Sequence, residues 1–210
     1  MRFSLVLPSV ILSFVALFAR PVAAELIFDN LGMESDGIQF VRPQGVGSGW
    51  WATGFSTTAT GFVLDTVTLS LANPSNGTQF AVRIYESNNN PPTSIPTGAS
   101  VATLFNGTSD AFFGPFVLSS LGTVLQPSTN YFLAVEVATN QLNWSYTNDV
   151  TWPVASNSGG GWVGSDNFPN KMSISASSAV PEPSQVATMV LVAFGIAIRI
   201  GFLMRVRSRA

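Results

Sequence analysis

Five tryptophans and, ahead of the C-terminal segment, ten carboxylates are the groups in this chain with chemistry to offer, and no histidine or cysteine stands beside them. Trp50, Trp51, Trp144, Trp152 and Trp162 all fall in or next to turn-rich segments. An indole face can stack on the C–H face of a sugar ring while nearby amides and carboxylates bond the hydroxyls. "NWSYTNDVTW" gathers Trp144, Tyr146 and Trp152 with Asn143, Asn148 and Asp149. "SGGGW" sets Trp162 behind glycines that permit close backbone approach. Trp144, Tyr146, Trp152 and Trp162 are therefore the candidate carbohydrate-binding residues, with core packing or loop anchoring as the competing role. Trp50 and Trp51 are adjacent and must point to opposite faces of any strand that holds them, so one of the two is expected in the core.

Two carboxylates across a cleft would suffice for glycoside hydrolysis, yet no local motif nominates a pair. A Ser-His-Asp triad needs a histidine that the chain lacks. Lys171 is the only lysine, and nothing around it resembles a nucleophile turn. Without Cys or His, thiolate and imidazole metal sites are excluded. Asp29, Glu34 and Asp36 lie close together and Asp166 sits in "GSDN", but "DNLGMESDG" lacks the alternate-position ligands of an EF-hand loop. These acids read as solvated loop residues. The expectation is no catalytic residue, no metal and no cofactor.

Charge narrows the partners. Charged residues make up 10% of the chain, against about 25% in an ordinary globular protein. Between Glu25 and Ala179, Arg42, Arg83 and Lys171 face ten acids, a formal charge of −7. An acidic body without a basic stripe argues against nucleic acid as a partner.

The elements that must position these groups are strands. In "LDTVTLSL" the apolar residues are Leu64, Val67, Leu69 and Leu71. In "QFAVRIYES", Phe80, Val82 and Ile84 share one face and Ala81, Arg83 and Tyr85 the other. "YFLAVEVAT" sets Tyr131, Leu133, Val135 and Val137 against Phe132, Ala134 and Glu136, and "LNWSYTND" alternates Leu142, Trp144 and Tyr146. Such period-two patterns mark half-buried strands. "NPSNGT", "SNNNPPTSIPTG", "FNGTSD", "LQPSTN" and "SNSGGG" read as turns between them. Asn76, Asn106 and Asn143 open N-x-[ST] triplets, and the Asn-Gly pairs at 76 and 106 are expected at hairpin turns. No stretch between the two ends carries a capped helical repeat. The expected fold is all-β, a single β-sandwich or jelly-roll-like domain over 25–178.

The two ends read as addresses. Arg2, the apolar run Ser4–Ala19 and the small residues of "VAA" form a secretory signal peptide over 1–24, cleaved between Ala24 and Glu25. At the other end "VPEPS" (Val180, Pro181, Glu182, Pro183, Ser184) lies in a linker over 179–185. The apolar segment 186–204 follows, interrupted by Arg199, and is close to the about 20 residues that span a bilayer as a helix. Arg205, Arg207 and Arg209 in the tail 205–210 hold its end in the cytoplasm by the positive-inside rule.

Pro-Glu-Pro, one spanning helix and an Arg cluster in this order resemble the PEP-CTERM sorting signal, a segment also described as an ice-binding-protein C-terminal domain. The resemblance implies a bacterial exported protein held at the inner membrane by its C-terminal helix. An exosortase-like processing enzyme would then cut it near Pro-Glu-Pro and release it to the cell surface or an exopolysaccharide matrix. "LIFDNLG", "WWATGFSTTATGFVLDTVTLSL", "VRIYESNNNPPTSIPTG", "LQPSTNYFLAVEV" and "NWSYTND" resemble the choice-of-anchor R type of extracellular domain. That family carries no agreed activity and no catalytic residues to transfer. The expected function is structural or adhesive, with exopolysaccharide as partner. A carbohydrate-binding module is the first alternative and a glycan hydrolase the second.

Overall fold

The computed structural model describes residues 24–178, apart from 48, 60, 74, 89–93 and 120. The expected signal peptide, the Pro-Glu-Pro linker, the apolar segment and the basic tail lie outside the described residues, except for the cleavage-site residues Ala24 and Glu25. Among the described residues there is no helix. The strands are β1 (Glu25–Asp29), β2 (Gly37–Val41), β3 (Trp50–Ser56), β4 (Phe62–Asn73), β5 (Thr78–Ser87), β6 (Pro96–Ser109) and β7 (Phe112–Ser119). They continue as β8 (Val124–Leu125), β9 (Asn130–Val137), β10 (Leu142–Tyr146), β11 (Trp152–Asn157), β12 (Val163–Asn167) and β13 (Met172–Ser178).

Two antiparallel sheets result, an all-β arrangement consistent with the expected β-sandwich. One sheet runs β1-β13-β4-β10-β2, with β7 and β8 also pairing with β4. The other runs β12-β11-β3-β9-β5-β6. The long β4 organises the first sheet: β13 and then β10 pair along it, and β7 pairs with residues Thr66 to Asn73.

The period-two patterns dictate the inner faces. Phe80, Val82 and Ile84 of β5, the odd positions of β9 from Tyr131 to Val137, and Leu142 and Trp144 of β10 are all buried in one core. Burying side chains of this size is worth about 1.5–3 kcal/mol each, which sets the registers. Leu64 and Val67 are three apart, which breaks the alternation, yet both are fully buried. The pairing with β13 explains this. Ala176 faces Leu64 and Ser175 faces Thr66, so Asp65 is the extra residue of a β-bulge that returns Val67 to the core. One side of the core is filled by phenylalanines: the Phe105 and Phe116 rings lie 5.2 Å apart, and Phe80 lies 4.7 and 5.4 Å from them.

The turn expected at Asn106-Gly107 is not one. Both residues lie inside β6, with Gly107 opposite Phe80. A Cβ on Gly107 would sit 3.3 Å from the Phe105 ring, so this glycine makes room for an aromatic instead of reversing the chain. The "PTG" expected to end another turn likewise opens β6. Asn76-Gly77 does lie between β4 and β5, with φ at +74° on the glycine. Asn143 is in β10.

Candidate functional site

The register of β10 decides the fate of its tryptophan. Trp144 pairs with Gln39 of β2 on one side and Leu71 of β4 on the other, and is 0% exposed. Its Nε1 donates to the Lys171 carbonyl at 3.0 Å. Trp144 is thus a core residue and offers no face to a sugar, which removes it from the candidate set. Its position in the strand was legible, but it is buried in a core that includes residues of β3, β5 and β9, none adjacent to it in the chain order of its own sheet.

The other three candidates occupy separate places. Tyr146 ends β10, half-buried, stacked on Phe168 at 6.3 Å, and its ring lies where a Cβ on Gly37 would stand. Trp162 precedes β12 and packs on the outer face of the six-stranded sheet, over a cluster that includes Ala52, Ala134 and Ala155. Trp50 flanks it at 6.4 Å and Tyr85 at 6.0 Å. Trp51 packs against the main core, so the adjacent pair divides between the two faces of β3 as expected. Trp152 opens β11 and is 38% exposed, with its ring edge-on to Phe28 at 5.5 Å. Trp152 and Trp162 stand at opposite ends of the β11–β12 hairpin, about 17 Å apart along an extended strand.

A depression of about 260 Å³ opens beside Trp152. Trp152, Pro153 and Phe132 give it an apolar side; Ser56, Ser87 and Asn130 give it a polar one. Among the described residues no charged one lines it. The mixture suits a neutral ring with one apolar face and several hydroxyls.

A second constellation went unnoticed in the sequence. Glu136 of β9 is 4% exposed on the outer face of the six-stranded sheet. Arg83 Nη1 donates to its Oε2 at 2.6 Å, and the Tyr85 hydroxyl donates to its Oε1. Burial, and then the bond to Glu136, push the Tyr85 phenol up to about 12. The alternation had already assigned Arg83 and Tyr85 to one face of their strand and Glu136 to one face of another. Only the pairing of β5 with β9, across some fifty residues of chain, puts them together. The carboxylate is fully engaged, which suits an internal strut better than a catalytic acid.

Of the acids expected as solvated loop residues, Glu34 and Asp36 are exposed between β1 and β2, Asp29 ends β1, and Asp166 lies in β12 and not in a loop. Asp29 Oδ1 accepts from Leu31 N at 3.0 Å, and Asp36 accepts from Asn148 N, tying the β1–β2 connection to the β10–β11 one. Among the described residues no group of three His, Cys, Asp or Glu could hold a metal ion. Val180 to Ser184 and Arg205, Arg207 and Arg209 lie outside the described residues.

No protein-family model matches this chain, and a search of the curated proteins returns no match.

Proposed function

We propose that this chain is an exported, jelly-roll-like β-sandwich with a structural or adhesive, non-catalytic role. A signal peptide exports it and a C-terminal helix holds it in the inner membrane. An exosortase-like enzyme then sorts it to the cell surface or an exopolysaccharide matrix. The observation that carries this reading is that the described residues between the two sequence addresses are an all-β body of two antiparallel sheets. β1 starts at Glu25, the residue signal cleavage would leave first. β13 ends at Ser178, two residues ahead of Val180 of "VPEPS". The engaged Glu136 and the lack of His and Cys support display over turnover.

The test is the mass of the mature protein from membrane and extracellular fractions of the native host. A secreted form starting at Glu25 and ending near Pro181–Pro183 is expected. A membrane form still ending at Ala210, with no secreted counterpart, would reduce the tail to a plain anchor.

The depression at Trp152 favours carbohydrate binding as a second reading. Glycan-array binding that is lost in Trp152→Ala, with circular dichroism unchanged, is its expected signature. Binding unaffected by both Trp152→Ala and Trp162→Ala would dismiss these residues.

A further inference from the structure

The two outer faces of the sandwich are finished differently. On the six-stranded sheet, Trp162, Ile95 and Tyr85 pack over the small side chains of Ala52, Ala134 and Ala155. The seven-stranded sheet keeps large apolar side chains exposed. Phe113 and Val117 of β7 stand opposite Ala72 and Thr68 of β4, Ile38 of β2 opposite Ser145 of β10, and Leu26 of β1 opposite Ser175 of β13. Residues directly opposite in a ladder project to the same side. Leu71, Leu69, Trp144 and Ile174, the chain neighbours of those partners, are buried in the core, so all four apolar residues point outward. Phe113 is 80% exposed, Leu26 58%, Val117 56% and Ile38 48%. A solvated sheet face ordinarily carries polar residues at such positions, and contiguous exposed apolar surface marks an interaction site.

The middle of this face carries no charge. The outward residues of β4 from Thr66 to Ala72 are small and uncharged, and those of β10 and β13 beside them are uncharged too. Asp29 sits on the outer strand β1 and accepts from Leu31 N, and Arg42, just beyond β2, is bonded to Gln141. Asp65, in the bulge toward the start of β4, accepts from the Ser177 hydroxyl at 3.1 Å. A body of −7 repels its own copy wherever its acids are displayed, and across this face that repulsion is least.

We infer that this face is the interface of a homodimer, in which the seven-stranded sheets of two copies pack against each other about a two-fold axis. The area fits. The sheet is four strands wide at either end of β4: β2, β10, β4 and β7 at one, β1, β13, β4 and β7 at the other. With the twelve residues of β4 as its length, each copy offers about 750 Å². The pair would cover about 1,500 Å², the usual size of a stable interface and above the about 1,000 Å² that a specific one needs. A flat apolar face is complementary to its own copy, as a two-fold contact requires. An axis along the strands between β4 and β10 lays β7 of each copy over β2 of the other, so Phe113 packs near Ile38 across the interface. The inference goes beyond the sorting reading and does not rest on it, because the dimer forms whether or not the tail is trimmed.

The test is sedimentation of the protein purified from the native host, from nanomolar to high micromolar concentration. The mass of two copies is expected, with tighter association at high salt, which screens the repulsion between acidic bodies. Phe113→Lys and Ile38→Glu should each weaken the dimer by about thirtyfold or more. Mixing the two variants should restore it, because one contact then pairs Lys with Glu and the other keeps Phe and Ile. Val163→Glu, on β12 of the other sheet, should change nothing. Both tested side chains are well exposed, so the fold survives their replacement, which circular dichroism checks. A single-copy mass at every concentration would overturn the site and leave the face to another partner. A dimer unmoved by both variants, variants that fail to complement, loss in Val163→Glu, association weakened by salt, or assemblies that grow without limit would each overturn it as well.

Discussion

Arg83 and Glu136 sit on neighbouring strands with guanidinium and carboxylate 2.6 Å apart, and the carboxylate is all but sealed from water. Removing one partner strands the other. Arg83→Met should destabilise the body by about 2–4 kcal/mol, short of the full cost of a wholly buried pair because Arg83 keeps about a third of its side chain exposed. Adding Glu136→Gln should restore part of the loss, since a neutral amide still accepts from Tyr85 and leaves no charge unpaired. Urea unfolding of the single and double variants measures both steps.

Tyr85 makes stability depend on alkaline pH. Its phenol ionises near 12 in the folded chain, against about 10 when unfolded. Below pH 10 both states hold the proton and the contribution is complete. As pH rises from 10 to 12 the unfolded chain releases the proton first, so stability falls across that window. Tyr85→Phe should flatten that part of the slope in urea midpoints measured from pH 9 to 12. An unchanged slope would place the alkaline sensitivity elsewhere.

The tryptophans should separate cleanly by burial. Trp144→Ala opens a core cavity and removes one of the two donors to the Lys171 carbonyl, at about 3–5 kcal/mol. Trp152→Ala should cost about 1 kcal/mol or less, because its ring is partly exposed and rests on Phe28. Thermal unfolding of the two variants side by side checks the contrast.

Asn73 joins two connections and should be intolerant of change. It is 0% exposed, and its amide nitrogen donates to the carbonyls of Ser109 and Asp110 between β6 and β7. Its oxygen accepts from Ser75 N and from the Thr78 hydroxyl in the β4–β5 turn. Asn73→Ala should cost about 1–3 kcal/mol through the bonds it removes, although Ser109 O, Asp110 O and the Thr78 hydroxyl each keep another partner. Asn73→Asp should be no better, because a carboxylate cannot donate to either carbonyl. Denaturant midpoints for the two variants decide it.

Strand identity was written locally, and the sites were not. Alternation marked β4, β5, β9 and β10 and assigned their faces correctly, because burial on one side of a sheet demands a period of two. Asp65 broke that period for a reason visible only beside β13. Asn106-Gly107 carried a turn signal that packing against Phe105 overrode. Trp144 became core, and Arg83, Tyr85 and Glu136 became a cluster, through pairings between distant strands that no local pattern records.

The pairing of Glu25 with Ala176 brings the first and last strands of the body side by side and antiparallel, so its two termini leave from the same end. A short Gly-Ser bridge could join them, and the chain could be reopened at the exposed turn around Asn76 and Gly77 to give a circular permutant with the same sheets. Under the proposed export and anchoring, a leader and a tail leaving from that end would reach one membrane without stretching the body between them.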